Sequence, residues 1–126
     1  MKRNMAAFTV IVLMMTFFAA GCATMPQGKS FTDMSPKEKA TYFYGIYNRQ
    51  YSDYMSQVGY AKQGEEWVKV SDPELSDELK DILKTKKNLL SQVYPLIQLY
   101  DNQLQFNGTP SPATEQQIYD LLNKLQ

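Results

Sequence analysis

Three short motifs predict where helices begin, and they constrain the fold more than any other feature of the sequence. In each motif a residue that can cap a helix precedes a proline, whose fixed φ angle and missing N–H suit the first helical turn. The motifs are Ser35-Pro36, Asp72-Pro73 and Ser111-Pro112. Glu38 follows Ser35 by three residues and completes a capping box. The sequence therefore predicts helices over residues 35–63, 72–107 and 111–125.

Apolar periodicity supports each predicted helix, because steps of three and four residues place side chains on one helical face. In the first helix the stripe comprises Ala40, Phe43 or Tyr44, Tyr47, Tyr51, Tyr54, Val58 and Ala61. In the second it comprises Leu79, Leu83, Leu90, Val93, Ile97, Tyr100 and Leu104. In the third it comprises Ile118, Leu121, Leu122 and Leu125. We therefore expect an all-α domain over residues 35–126, a small bundle of three helices in which a long hairpin carries a short C-terminal helix.

Several local features qualify this prediction. The run 42–47 is rich in strand-favouring aromatic residues, although the longer stripe and the cap favour a helix there. Ser71 with Glu74 could cap the second helix one residue earlier than Asp72. Pro95 is expected to kink that helix without reversing the chain, because the stripe resumes in phase after it. Gly64 and Gly108 suit the residue just past a helix end. The connection between the long helices is apolar, and we expect its tryptophan, Trp67, to fold over the end of the bundle.

The N-terminus has the layout of a secretory signal. Lys2 and Arg3 precede an apolar run over residues 5–18, and the small residues Ala19-Ala20-Gly21 then precede Cys22, the single cysteine of the chain. This arrangement resembles the lipobox of bacterial lipoproteins. It departs from that family's pattern in one place, because Ala19 stands where Leu, Val or Ile is usual. A retained membrane anchor, or a plain signal with an incidental cysteine, would be the alternatives.

The resemblance implies how the chain is processed and where it resides. Residues 1–21 would be the signal peptide, cleavage would fall between Gly21 and Cys22, and Cys22 would carry the lipid. Residues 22–34 would then form a flexible tether, since they contain breakers and few apolar side chains. Gram-negative lipoproteins retained at the inner membrane tend to have aspartate after the cysteine, where this sequence has Ala23. The protein is therefore expected at the outer membrane, facing the periplasm.

Charge and composition argue against several classes of function. The 126-residue chain has 13 cations and 13 acids, and removal of residues 1–21 takes away Lys2 and Arg3, which leaves 11 cations in 105 residues. Without a basic excess, binding to nucleic acid loses its usual driving force. The chain contains no histidine, and a lipidated Cys22 would leave no thiol. Catalysis that depends on histidine or cysteine is therefore excluded, and we predict a protein that is not an enzyme and needs no cofactor.

The acidic residues give little support for a metal site or a hydrolase. Those close together along the chain are Glu65, Glu66, Asp72, Glu74, Asp77, Glu78 and Asp81. Their spacing lacks the glycine-centred pattern of a calcium loop, so no metal is predicted. A cell-wall hydrolase would need two inward-facing carboxylates that flank the scissile bond. Acids in the first turn of a helix more commonly interact with the helix dipole.

Tyrosines are the most suggestive feature of the predicted domain. Tyr47, Tyr51 and Tyr54 suit packing in the bundle with their hydroxyls at its edge. The possible interaction surface comprises Tyr42, Tyr44, Tyr60 and Trp67. The leading hypothesis is a lipid-anchored, non-enzymatic accessory protein with an envelope protein as partner. The alternative is a ligand-binding or inhibitory lipoprotein that takes a glycan, a lipid or a peptide in a groove between helices, lined by Tyr47, Tyr51, Val93 and Ile97.

Overall fold

The computed structural model describes residues 30–126 as a mostly helical domain with one small β-hairpin. A short 3-10 helix spans Phe31–Asp33. Three α-helices and two antiparallel strands follow, in the order α1 (Pro36–Gln57), β1 (Tyr60–Gln63), β2 (Glu66–Lys69), α2 (Asp77–Asn107) and α3 (Pro112–Leu125). The predicted all-α bundle is confirmed, with the hairpin as an addition. Within residues 30–126, none of the helices is both long and apolar enough to cross a bilayer.

The first helix begins at the predicted cap. The Ser35 hydroxyl accepts a hydrogen bond from the Glu38 backbone N–H at 3.2 Å, and the Ser35 N–H donates to the Glu38 carboxylate at 2.7 Å. This reciprocal pair satisfies two backbone N–H groups that a helix start otherwise leaves to water. At the third helix, Ser111 and Pro112 occupy the predicted positions. Helix α2 ends at Gly108, which has the left-handed φ of 70° that glycine adopts without strain.

The core lies where the three helices meet, and it comprises mainly the predicted apolar stripes. Its buried members are Ala40, Phe43, Ile46, Leu90, Val93, Ile97, Tyr100, Ile118, Leu122 and Leu125. The buried face of helix α1 differs from the predicted stripe, because Ile46 is buried whereas Tyr47 and Tyr51 are half-buried beside the core. A wholly apolar side chain can leave water completely, but a tyrosine hydroxyl still needs a hydrogen-bond partner.

Helix α1 ends earlier than the sequence predicts. It stops at Gln57 instead of residue 63, because Gly59 has a φ of 95° that is incompatible with a right-handed helix. Residues Tyr60–Gln63 then pair with Glu66–Lys69 as an antiparallel hairpin. Gly64, predicted as a helix end, takes the first position of the two-residue turn with a φ of 65°. A positive φ at that position is a feature of the tight turns that join antiparallel strands.

Helix α2 begins later than predicted, at Asp77 instead of residue 72. The Ser76 hydroxyl accepts from the Leu79 N–H at 3.2 Å and is the actual cap. Residues at the predicted start extend the hairpin instead, since the Val70 and Ser71 N–H groups both donate to the Gly59 carbonyl, at 2.8 and 3.1 Å. Pro95 lies inside α2, which continues through it to Asn107 without reversing the chain, as predicted.

Residues 31–34, which the sequence assigned to the tether, pack against the helices. The Phe31 ring lies 4.7 Å from Tyr119 of α3 and 5.7 Å from Phe43 of α1, and Met34 is only 4% exposed. The apolar area that these two side chains remove from water is the physical reason for their order. The predicted signal peptide, the cleavage between Gly21 and Cys22 and the lipidation of Cys22 fall in residues 1–29, outside the described part of the chain.

Candidate functional site

Two adjoining depressions lie between α1, α2 and the hairpin. The larger, of about 520 Å³, is lined by Tyr47, Tyr51, Tyr54, Met55, Val58, Tyr60, Lys87, Leu90, Ser91, Tyr94 and Pro95. The smaller, of about 480 Å³, is lined by Tyr47, Asn48, Tyr51, Ser52, Lys62, Trp67 and Tyr94. Tyr47, Tyr51 and Tyr94 line both, so the two depressions adjoin at these three rings, and we call the pair the tyrosine groove. Clefts that combine apolar and aromatic side chains with a few polar groups are typical of ligand sites.

Four aromatic rings follow one another along the tyrosine groove. Trp67 meets Tyr51 edge-on, with centroids 6.0 Å apart and an interplanar angle of 80°. Tyr51 and Tyr47 are nearly parallel at 16°, with centroids 5.8 Å apart, and Tyr47 lies 4.9 Å from Tyr94 of α2. Tyr47 and Tyr51 project together because residues four apart share a helical face. The four rings therefore form a chain of edge-on, stacked and tilted contacts along the groove.

The groove carries positive charge without a balancing acid. Lys87 lines the larger depression and Lys62 lines the smaller, and among residues 30–126 no aspartate or glutamate lines either one. Neither lysine ammonium pairs with a carboxylate from that part of the chain. Burial, followed by the neighbouring Tyr51 and Tyr94, raises the pKa of Tyr47, so its hydroxyl stays neutral at physiological pH. The groove thus offers ring faces, neutral hydroxyls and two lysine ammonium groups.

The structure brings two of the four predicted interaction residues together. Tyr60 of β1 and Trp67 of β2 both line the tyrosine groove, and Trp67 folds back onto α1 as predicted. Tyr42 instead packs 6.0 Å from Phe31, outside the groove, and burial is the main cause of its raised pKa. Tyr44 is also half-buried, and its pKa is raised by burial and then by Asp101 and Tyr94.

The groove predicted from the sequence differs from the one observed. Tyr47 and Tyr51 line it, but Val93 and Ile97 are fully buried in the core. Tyr94 was absent from the prediction, although it is 39% exposed and contacts Tyr47. It follows Val93 directly, and neighbours along a helix point in directions that differ by about 100°. The helical period alone therefore indicates that Tyr94 faces away from the stripe to which Val93 belongs.

A polar bridge inside the bundle was also missed by sequence reasoning. The Lys39 ammonium of α1 lies 2.7 Å from one Glu115 oxygen of α3, and the Tyr100 hydroxyl of α2 donates to the other at 3.1 Å. Lys39 also lies 4.9 Å above the Phe31 ring, in cation–π geometry. Tyr100 is fully buried, while the Lys39 and Glu115 side chains are 14% and 23% exposed. The bridge joins all three helices and is a structural element, distinct from the tyrosine groove.

Tyr100 should make stability depend on pH in alkaline solution. Burial, followed by the charge and the hydrogen bond of Glu115, raises the pKa of Tyr100 well above its ordinary 10.0. An unfolded tyrosine ionises near pH 10 whereas folded Tyr100 keeps its proton, so its contribution is full below pH 10 and declines as pH rises further. We expect the free energy of unfolding to fall by up to about 1.4 kcal/mol per pH unit from this residue.

The measurement compares wild type with Tyr100→Phe in urea at pH 8 to 11. Tyr42, Tyr44 and Tyr47 also have raised pKa values, so both proteins should lose stability at high pH. Only the difference between their slopes reports on Tyr100. Parallel pH profiles for the two proteins would contradict the prediction.

The acidic residues singled out from the sequence lie at the surface. Glu65 and Glu66 are exposed at the hairpin turn, and Asp77, Glu78 and Asp81 are exposed in the first turns of α2. Among residues 30–126 there is no group of three or more carboxylates, histidines or cysteines placed to hold a metal ion. Comparison of the chain with protein-family models, with curated proteins and with solved structures found no match.

Proposed function

We propose that the chain is a lipid-anchored, non-enzymatic interaction protein of the bacterial cell envelope, and that its domain binds a ligand in the tyrosine groove. The observation that carries the binding role is the continuous line of Trp67, Tyr51, Tyr47 and Tyr94 along that groove. Tyrosine and tryptophan give large contact areas at low entropic cost, and they dominate the energetics of many interfaces. The lipobox-like sequence ending in Cys22 supports the anchor and a periplasmic, outer-membrane location.

The tyrosine groove favours a ligand-binding protein over the alternative that all tyrosines only pack in the core. The buried cluster between the helices comprises aliphatic residues together with Phe43 and Tyr100, and it includes none of the four groove rings. Tyr47 and Tyr51 pack against that cluster from one side, and they also place hydroxyls beside apolar faces at the surface. That combination suits recognition of a partner that is partly polar.

Trp67 provides a direct test of binding, because it is the single tryptophan of the chain and lies in the groove. Glycan, peptide and lipid fractions of a bacterial envelope extract should be titrated against the full chain in mild detergent. We expect one fraction to shift Trp67 emission in wild type, with at least about fivefold weaker binding in Tyr51→Ala, since truncating a central aromatic residue of an interface costs more than about 1 kcal/mol.

The matched control is Phe106→Ala, which removes an aromatic ring that is 83% exposed near the end of α2 and does not line the groove. It should bind as wild type does. The proposal fails if none of the three fractions changes Trp67 emission in wild type. It fails equally if Tyr51→Ala and Phe106→Ala weaken binding to the same extent.

The anchor is tested separately by metabolic labelling with palmitate. Cys22→Ala should abolish labelling and leave the precursor uncleaved, because the sulfur that would carry the lipid is gone. Ala19→Leu should increase the processed fraction, since it restores the residue type usual in the lipobox. Thr24→Ala, two residues after the cysteine, serves as the control and should label normally. Labelling of Cys22→Ala at the wild-type level would contradict the anchor.

A further inference from the structure

The two depressions of the tyrosine groove share three aromatic rings and each adds one lysine, and these groups indicate the kind of ligand. Each combines the shared rings of Tyr47, Tyr51 and Tyr94 with a single lysine, Lys87 in one and Lys62 in the other. Neutral polar groups accompany each lysine: Ser91 in the larger depression, and Asn48 and Ser52 in the smaller. The larger depression also contains Met55, Val58, Leu90 and Pro95, whereas the smaller has no aliphatic lining residue. A ligand that spans both depressions would combine a flat apolar face, neutral polar edges and more than one negative charge.

We propose that the groove binds a glycan strand of the bacterial cell wall from which the stem peptides have been removed, a chain of N-acetylated sugars that carries a free lactyl carboxylate on every second ring. This inference rests on the proposed function and names its ligand class. Pyranose rings present C–H bonds on their flat faces, which pack against the negative faces of aromatic rings. Their hydroxyl and acetamido groups extend sideways, toward the neutral polar groups of the groove. The two lysines supply positive charge for the carboxylates, and no acid among the lining residues opposes that charge.

Other ligand classes fit the observed groove less well. An acyl chain requires a closed apolar cavity, whereas this groove is open and contains hydroxyls and two lysines. An amphipathic peptide helix docks its apolar face into a hydrophobic groove, which two lysines would interrupt. A proline-rich peptide can dock on aromatic grooves, but it has no regular negative charge to pair with Lys62 and Lys87. Peptide binding is therefore an alternative outcome of the experiment below.

The test compares two strands that differ in charge, with Trp67 emission of the full chain in detergent as the readout. The first probe is a peptide-free strand of alternating N-acetylglucosamine and N-acetylmuramic acid. The second is an N-acetylglucosamine oligomer of equal length, which has no carboxylate. We expect the charged strand to bind about tenfold more tightly, because loss of the lysine contacts would cost on the order of 1.4 kcal/mol. A proline-rich decapeptide is the third probe.

Variants assign the contributions of rings and charges. The double variant Lys62→Gln/Lys87→Gln should lose the preference for the charged strand while it binds the neutral one as wild type does. Tyr51→Ala should weaken binding of both strands. Lys84→Gln is the matched control, because Lys84 is exposed on α2 and lies outside the groove lining. All these lysines are exposed, so the substitutions should leave the fold intact, which circular dichroism checks.

The outcomes separate this inference from the proposed function. Equal affinity for the two strands, or a preference that survives the double lysine variant, would overturn recognition of the carboxylates. Binding of the decapeptide in place of both strands would overturn the glycan but preserve the groove as a ligand site. If no probe and no envelope fraction changes Trp67 emission, the glycan and the proposed binding function both fall.

Discussion

Gly59→Ala should destabilise the hairpin by about 3 kcal/mol, the sum of a left-handed backbone penalty and a steric clash. Gly59 has a φ of 95°, and a Cβ atom there would lie 2.0 Å from the Ser71 carbonyl oxygen and 2.9 Å from Pro73 Cδ. The first of these contacts is with backbone, so a rotamer change cannot relieve it. Moving the chain apart would break the hydrogen bonds from Val70 and Ser71 to the Gly59 carbonyl.

Hydrogen exchange measures this effect directly. The Val70 and Ser71 amides should exchange roughly a hundredfold faster in Gly59→Ala, as expected for about 3 kcal/mol. Gly64→Ala is the matched control, because Gly64 also has a positive φ, of 65°, but no atom lies within 4 Å of the position that an alanine Cβ would take. It should cost only about 1 kcal/mol. Similar exchange rates in the two variants would show that the clash contributes nothing.

The same substitution should impair the groove. Gly59 fixes where the hairpin leaves α1, and the hairpin carries Tyr60, Lys62 and Trp67 to the groove. Loss of hairpin docking would take the Trp67 ring away from Tyr51 and expose it to water, with a shift of its emission to longer wavelength. Ligand affinity should fall in parallel with that shift, even though Gly59 does not line the groove.

Glu115→Ala should lower the free energy of unfolding by about 2–3 kcal/mol, because it leaves two groups inside the bundle without their partner. Tyr100 is fully buried and the Lys39 side chain is only 14% exposed. Removal of one member of a fully buried ion pair typically costs about 3–5 kcal/mol, and the partial exposure of Glu115 reduces that figure. Urea denaturation measures the difference.

Two further variants identify the cause of this loss. Asp120→Ala removes an acid from the same helix, one that accepts a hydrogen bond from Gln116 at 2.8 Å on the exposed surface, and should cost under about 0.5 kcal/mol. In a protein that already carries Lys39→Met and Tyr100→Phe, Glu115→Leu should cost less than about 1 kcal/mol, because no polar group of the bridge is then left unpaired. An undiminished loss in that background would mean that Glu115 acts through packing alone.

Local chemistry made most of the helical architecture predictable. Ser35 with Glu38, and Gly108 at the end of α2, act within one turn of the backbone they cap, so the sequence alone identifies them. The α2 stripe from Leu83 to Tyr100 was also predictable, because the period of 3.6 residues is set within the helix and does not depend on how the neighbouring helices are arranged. The same period places Pro95 inside that helix, where the structure has it.

The hairpin was missed because two local signals competed. Val58 and Ala61 continue the apolar stripe of α1, which favours helix as far as residue 63. Gly59 and Gly64 stand on either side of Tyr60–Gln63, and the strand-favouring residues Trp67 and Val68 follow shortly after. Together these features are the signal in the sequence that indicates two short strands. The hairpin, unlike a longer helix, allows the Val70 and Ser71 N–H groups to donate to the Gly59 carbonyl. Those hydrogen bonds join residues more than ten positions apart, so they form only after the chain has folded back.

The sequence by itself determined the number of α-helices, most of their caps and the faces they bury, since each depends on residues close together along the chain. Tertiary structure alone decided where Glu115 lies, because its partners Lys39 and Tyr100 come from different helices. It also determined that the tyrosine groove forms, because the groove combines Tyr47 of α1, Trp67 of β2 and Tyr94 of α2. Such contacts depend on how three helices and a hairpin pack together, and no local period or cap encodes that arrangement.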